Sequence, residues 1–170
     1  MRILSIIFLS VCLFACKQGK KEMVTENLIT IDSLKVTKDD ISKLNYVEFI
    51  LDGKAYNLFG SWASYDELDN HITNLKQGDL SFFKENPELL DAFVKDLKET
   101  IPENAKTPAI EARVKELETK IYKLQSFLNL SNTNKNKLLP AIQELLVSFS
   151  NLNLQINKKI EKESQIIEKP

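Results

Sequence analysis

Two stretches near the C-terminal end decide the fold: PAIEARVKELETKIYKLQSFL at 108–128 and LLPAIQELLVSFSNLNLQINKKI at 138–160. In the first, Ile110, Val114, Leu117, Ile121, Leu124 and Leu128 recur at alternating spacings of four and three. In the second, Leu138, Ile142, Leu145, Phe149, Leu152 and Ile156 do the same. That alternation places each set on one stripe of an α-helix, as in a coiled-coil seam. Between them lies a polar turn, NLSNTNKNK at 129–137. Folded back antiparallel, the two stripes meet layer by layer, from Leu128 on Leu138 to Ile110 on Ile156, each pair of numbers summing to 266. Leu139, Leu146 and Ile160 widen the second stripe beyond what one neighbour can cover, so further helices must pack on it. Pro140 suits only a first helical turn, and the regular part of the last helix is expected to begin near it. The expected fold class is all-α: a small antiparallel helical bundle with a coiled-coil-like C-terminal αα-hairpin.

Upstream, Asn86-Pro87 and Thr107-Pro108 read as N-cap and first residue of two helices. The earlier of these carries Leu89, Leu90, Phe93, Val94, Leu97 and Ile101, and Pro102 ends it. Asp79 is placed to cap a short turn through Phe82-Phe83. Residues 46–59 admit two readings. Tyr46 to Leu51, Asp52-Gly53 and Lys54 to Leu58 resemble strand, two-residue turn and strand. Yet Leu44, Leu51, Leu58, Tyr65 and Ile72 recur every seven residues, which is helical spacing. The second reading is preferred: a helix over 53–77, capped by Asp52 and stopped by Gly78, with 41–51 a shorter helical or extended segment.

The N-terminus supplies an address. Arg2 precedes an apolar run from Ile3 to Ala15, the length of a signal-peptide core and short of the ~20 residues a membrane span needs. The run ends in Leu13-Phe14-Ala15-Cys16, which resembles the bacterial lipobox. The resemblance implies diacylglycerol on the Cys16 thiol and cleavage before it. Lys17 stands where an inner-membrane retention signal would place Asp, and the basic run to Lys21 lacks the acidic residues tied to surface export. The expected location is therefore the cell envelope, lipid-anchored in the outer membrane and facing the periplasm. The expected organisation is a lipoprotein signal peptide at 1–15, lipidated Cys16 and a flexible tether over 16–40, a helical bundle domain over 41–165, and a disordered tail at 166–170. Within the tether, Asp32-Ser33-Leu34 resembles the acceptor motif for O-glycosylation in Bacteroidota periplasmic proteins, which makes Ser33 a candidate site.

Composition closes off many functions. Four Gly in 170 residues supply no Gly-rich phosphate loop, one His no multi-His metal site, and two Cys no disulfide scaffold. A net charge of −1 gives nucleic acid no concentrated basic surface. The single His71 has Ser61, Ser64 and Tyr65 within two helical turns, but no second ligand or base motif, and reads as a boundary residue. Trp62, Tyr56, Phe59 and Tyr65 read as core packing. No catalytic residue, metal site or cofactor is expected.

Gly78 to Phe83, Ile110 to Leu130 and Ser150 to Asn157 resemble a set of Bacteroidota helical lipoproteins. That likeness implies fold and location only. The functional expectation is a non-catalytic, membrane-anchored structural or accessory module that acts through protein contact. Its partners would be membrane lipid, through Cys16, and an envelope protein. The alternative is a periplasmic carrier holding an apolar ligand between helices.

Overall fold

The last two helices are long because their caps and apolar stripes agree. The computed structural model describes residues 35–59, 62–84 and 86–165. All regular structure among them is helical: α1 Lys38–Ser42, α2 Gly53–Phe59, α3 Ala63–Lys76, α4 Ser81–Lys84, α5 Pro87–Glu99, α6 Pro108–Asn129 and α7 Lys135–Ser164. The Thr107 hydroxyl accepts from the Ile110 amide at the start of α6. The Asn134 side chain accepts from the Lys137 amide at the start of α7. Each satisfies an amide that no helical carbonyl can reach. Pro140 therefore stands inside α7, not at its start, and the helix begins five residues earlier than its ring implied. The proline is exposed, so water reaches the carbonyl that its missing N–H leaves unpaired.

The α6–α7 hairpin forms as the seam requires. Ile110, Val114, Leu117, Ile121 and Leu124 are buried on α6, and Leu138, Ile142, Leu145, Phe149, Leu152 and Ile156 on α7. The surface charges report the same register. Glu144 lies opposite position 122 on the 266 rule, and it is held by Lys120 at 2.9 Å and Lys123 at 2.7 Å, on either side of that position. These partly exposed pairs fix alignment more than they stabilise.

Five shorter helices cover the hairpin. α4 and α5 pack on α6, α1 and α2 on α7, and α3 on α5 and α1. Asn86 caps α5 by accepting from the Glu88 amide, with Pro87 in the first turn. Its stripe of Leu90, Phe93, Val94 and Leu97 is buried. Asp79 accepts from the Ser81 amide and opens α4, which sinks Phe83 into the core.

The preferred single helix over 53–77 is two helices. Asp52 does cap the first, accepting from the Lys54 amide at 2.8 Å, but Trp62, at φ −100° and ψ 82°, is not helical and starts the second as its N-cap. Gly78 ends α3 at φ 90°. The Gly78 amide donates to the Leu75 carbonyl and the Asp79 amide to the Asn74 carbonyl, the paired bonds of a Schellman stop. A Cβ on Gly78 would sit 3.2 Å from the Lys38 backbone nitrogen, so the stop is also where the N-terminal segment passes closest. Val36 is buried there, and Thr37 and Asp40 form a capping box on α1. Residues 36–40, read as the end of the tether, are thus packed on the bundle. The expected signal peptide, the rest of the expected tether with Cys16 and Ser33, and the expected tail at 166–170 lie outside the described residues.

Candidate functional site

Residues 44–52 join α1 to α2 without regular structure, as an extended strap along α7. This is the extended alternative for 41–51; among the described residues there is no hairpin. Side chains on one stripe of α7 hold the strap by its backbone. Gln143 donates to the Asn45 carbonyl at 2.7 Å. The Ser150 hydroxyl donates to the Val47 carbonyl at 2.8 Å and accepts from the Phe49 amide at 2.7 Å. Asn153 donates to the Phe49 carbonyl at 3.0 Å. Asn157 donates to the Ile50 carbonyl and accepts from the Asp52 amide, both at 2.8 Å.

The spacing follows from two rises. Seven residues of extended chain, 45 to 52, climb ~23 Å. Fourteen residues of helix, 143 to 157, climb ~21 Å. A polar side chain every seven helical residues therefore meets the strap every three or four. Each hydrogen bond contributes ~0.5–1.5 kcal/mol net, and the strap needs no sheet to satisfy its backbone.

Behind the strap the site is dry. Ser150 and Asn153 are buried, and Asn153 also accepts from the Tyr65 hydroxyl at 2.8 Å. Tyr65 stacks on Trp62 at 5.6 Å and on Phe149 at 5.7 Å between ring centroids, which ties α3 to α7. Burial, then the charges of Asp69 and Asp66, push the Tyr65 phenol well above its ordinary value. Tyr46 is raised to about 12, first by burial and then by Glu48. Its hydroxyl donates to Glu48, which is also joined to Lys76 of α3.

In front, the strap faces water with apolar side chains. Val47 is 68% and Ile50 74% exposed. Carboxylates gather beside it. Burial raises the Asp69 carboxyl; Lys76 lowers it, and the neighbouring Asp66 and Glu48 raise it again.

Trp62 and Tyr65 are core aromatics as expected, while Tyr56 is 51% exposed. His71 is half-buried, its ring stacked on Phe82 with centroids 3.4 Å apart and Glu67 at 3.7 Å. Ser64 donates instead to Asp96, at 2.6 Å, and Tyr65 to Asn153, so neither of these two hydroxyls is paired with His71, while Ser61 lies outside the described residues. An open-sided pocket of about 640 Å³ lies where the start of α2 meets the end of α7, between Asp52, Lys54, Asn57 and Asn157, with Ile160 at its wall. Among the described residues no group of three or more His, Cys, Asp or Glu is placed to hold a metal ion, and no helix is long and apolar enough to cross a membrane.

The sequence reading passed over the strap and its fastenings. Gln143, Ser150 and Asn157 recur at seven-residue spacing along one face of α7. That row was the signal. No family model, curated protein or solved structure matches the chain.

Proposed function

We propose that the chain is a non-catalytic accessory lipoprotein of the bacterial envelope, anchored through Cys16 in the outer membrane and facing the periplasm, where it works by protein contact. Leu13-Phe14-Ala15-Cys16 after an apolar run of signal-peptide length carries this reading. Two or three acyl chains on one cysteine hold far more firmly than one, because each buried methylene adds ~0.8 kcal/mol. Exposed Val47 and Ile50 support the contact role, since apolar side chains presented on a fixed backbone favour association.

The anchor is tested by metabolic labelling with palmitate. The wild-type chain takes up label and sediments with membranes, and Cys16→Ser loses both. Retained label in that variant overturns the lipobox reading. The contact role is tested by photo-crosslinking in intact cells from positions spread over the bundle surface. Specific adducts with one envelope protein support it, and their absence from every position refutes it.

A further inference from the structure

The strap's backbone is held by side chains. Six hydrogen bonds fasten residues 45–52, and in each the partner is the side chain of Gln143, Ser150, Asn153 or Asn157 on α7. Among the described residues no backbone–backbone bond reaches 45–51. Lifting the strap therefore breaks no hydrogen bond inside a helix. Each backbone group it frees belongs to an exposed or half-buried residue, so water takes over at small net cost.

Burial adds little. Between buried Ile41 of α1 and buried Ala55 of α2, none of residues 42–54 is buried. Leu44, Tyr46 and Leu51 touch the core with part of their surface, while Val47 and Ile50 turn to water. The ion pair of Glu48 with Lys76 is a partly exposed tie. The neighbouring α4 and α5 differ, sinking Phe83, Leu90, Val94 and Leu97 completely. Few buried contacts and solvent-reached hydrogen bonds mark a segment that opens well below the free energy of global unfolding.

The fastenings are also coupled. Fastened residues 45, 47, 49, 50 and 52 lie one or two apart, too close for an extended chain to leave one rung and keep the next. Gly53 follows at once, where an added Cβ would meet nothing within 4 Å, so the chain has room to swing there. We infer that residues 44–52 are a lid: they lift from α7 as one unit, turning at Lys43 and at the Asp52–Gly53 junction, while the helices stay folded. Lifting bares the row of Gln143, Ser150, Asn153 and Asn157. Asn157 ends that row and also lines the open-sided pocket, so with the lid up the two form one groove along α7. The inference needs neither the lipid anchor nor the contact role.

Hydrogen exchange resolved to single amides, on the full chain in detergent micelles, tests the lid. The reporters are the Phe49 and Asp52 amides, which donate to Ser150 and Asn157. Both should exchange at least ~10-fold slower than an unstructured chain and at least ~100-fold faster than the Leu145 amide of the seam. Their rates should stay flat in urea below the unfolding transition, while that of Leu145 climbs. Gln143→Ala removes only the Asn45 rung, yet should speed both reporters by the same ~2- to 10-fold. Asn157→Ala should speed Phe49, a residue that Asn157 does not fasten.

Reporters that keep pace with Leu145 and share its urea dependence overturn the inference, because the strap then opens only when the protein unfolds. So does Asp52 exchange unmoved by Gln143→Ala, or Phe49 exchange unmoved by Asn157→Ala, since each rung would then fray alone. Reporters that exchange as fast as an unstructured chain overturn it as well, for then there is no closed lid.

Discussion

Replacing Asn153 with Ala removes two hydrogen bonds from one buried side chain. Asn153 is 3% exposed, donates to the Phe49 carbonyl at 3.0 Å and accepts from the Tyr65 hydroxyl at 2.8 Å. The two losses are unequal. Phe49 is half-buried, so water can replace the lost donor at its carbonyl, at a cost of ~0.5–1 kcal/mol. Tyr65 is 5% exposed and its hydroxyl is left with no acceptor, a desolvation penalty of ~1–3 kcal/mol. Asn153→Ala should therefore destabilise the fold by about 1.5–4 kcal/mol. Asn157→Ala also removes two bonds, but at solvent-reached partners where water replaces them, and should cost less, about 1–2 kcal/mol. Urea unfolding followed by circular dichroism measures both. Tyr65→Phe closes a double-mutant cycle: with no hydroxyl to strand, Asn153→Ala should cost about 1–2 kcal/mol less than in the wild type. If the two substitutions add to within ~0.5 kcal/mol, or if Asn157→Ala costs as much as Asn153→Ala, the side-chain row does not hold the strap as described.

Other perturbations reach different parts of the molecule. Leu117 is fully buried in the hairpin seam, and Leu117→Ala should cost about 2–5 kcal/mol in the same unfolding assay. Gly78→Ala places a Cβ at φ 90° and 3.2 Å from the Lys38 backbone nitrogen, so it should destabilise by more than ~1 kcal/mol and speed amide exchange in α1. Hydrogen bonds from the Lys135 and Thr37 side chains and the Thr37 amide hold the Asp40 carboxyl well below its ordinary 3.8. A depressed carboxylate stabilises the fold above the unfolded value and loses that contribution as pH falls through the folded one. Asp40→Asn should accordingly make unfolding less sensitive to acid below pH ~4. The Tyr65 phenol is raised above its ordinary 10.0, so its contribution is complete below that pH and lost as pH rises through the folded value. Tyr65→Phe should shallow the alkaline loss of stability, read as the urea midpoint from pH ~9 to 12.

Much of the bundle was legible because local signals agreed with tertiary need. Thr107 and Asn86 cap where a Pro follows, Gly78 stops where a left-handed residue is required, and the two seams share one register. Two readings went astray where packing overrode local preference. Pro140 suits a helix start, yet Asn134 caps the helix six residues earlier and the exposed ring is accommodated. The seven-residue recurrence through Leu51, Leu58 and Tyr65 implied one helix, but the bundle breaks it between Phe59 and Ala63. The candidate site was least legible. Backbone of 45–52 is bound by side chains about a hundred residues away, and no local periodicity within the strap encodes that pairing. What encodes it is the polar row on α7, which looks like ordinary helix surface until Ser150 and Asn153 are found buried.

That separation sets an order of events as the chain is made. Strap hydrogen bonds close loops of 98 to 107 residues, whereas the ion pairs across the hairpin close loops of 21 to 24. The longer closure costs ~1.3 kcal/mol more in chain entropy before any contact repays it. The hairpin is therefore the natural nucleus, and the strap docks last, onto a surface already built. During synthesis the run Tyr46 to Leu51 emerges about 100 residues ahead of its fastenings, a wait of roughly 5–20 s at ordinary elongation rates. Through that interval it is a β-prone, apolar stretch with nothing to pair with. Glu48 in its middle then does a second job: a charge at the centre of such a run keeps nascent chains from pairing with one another until α7 arrives.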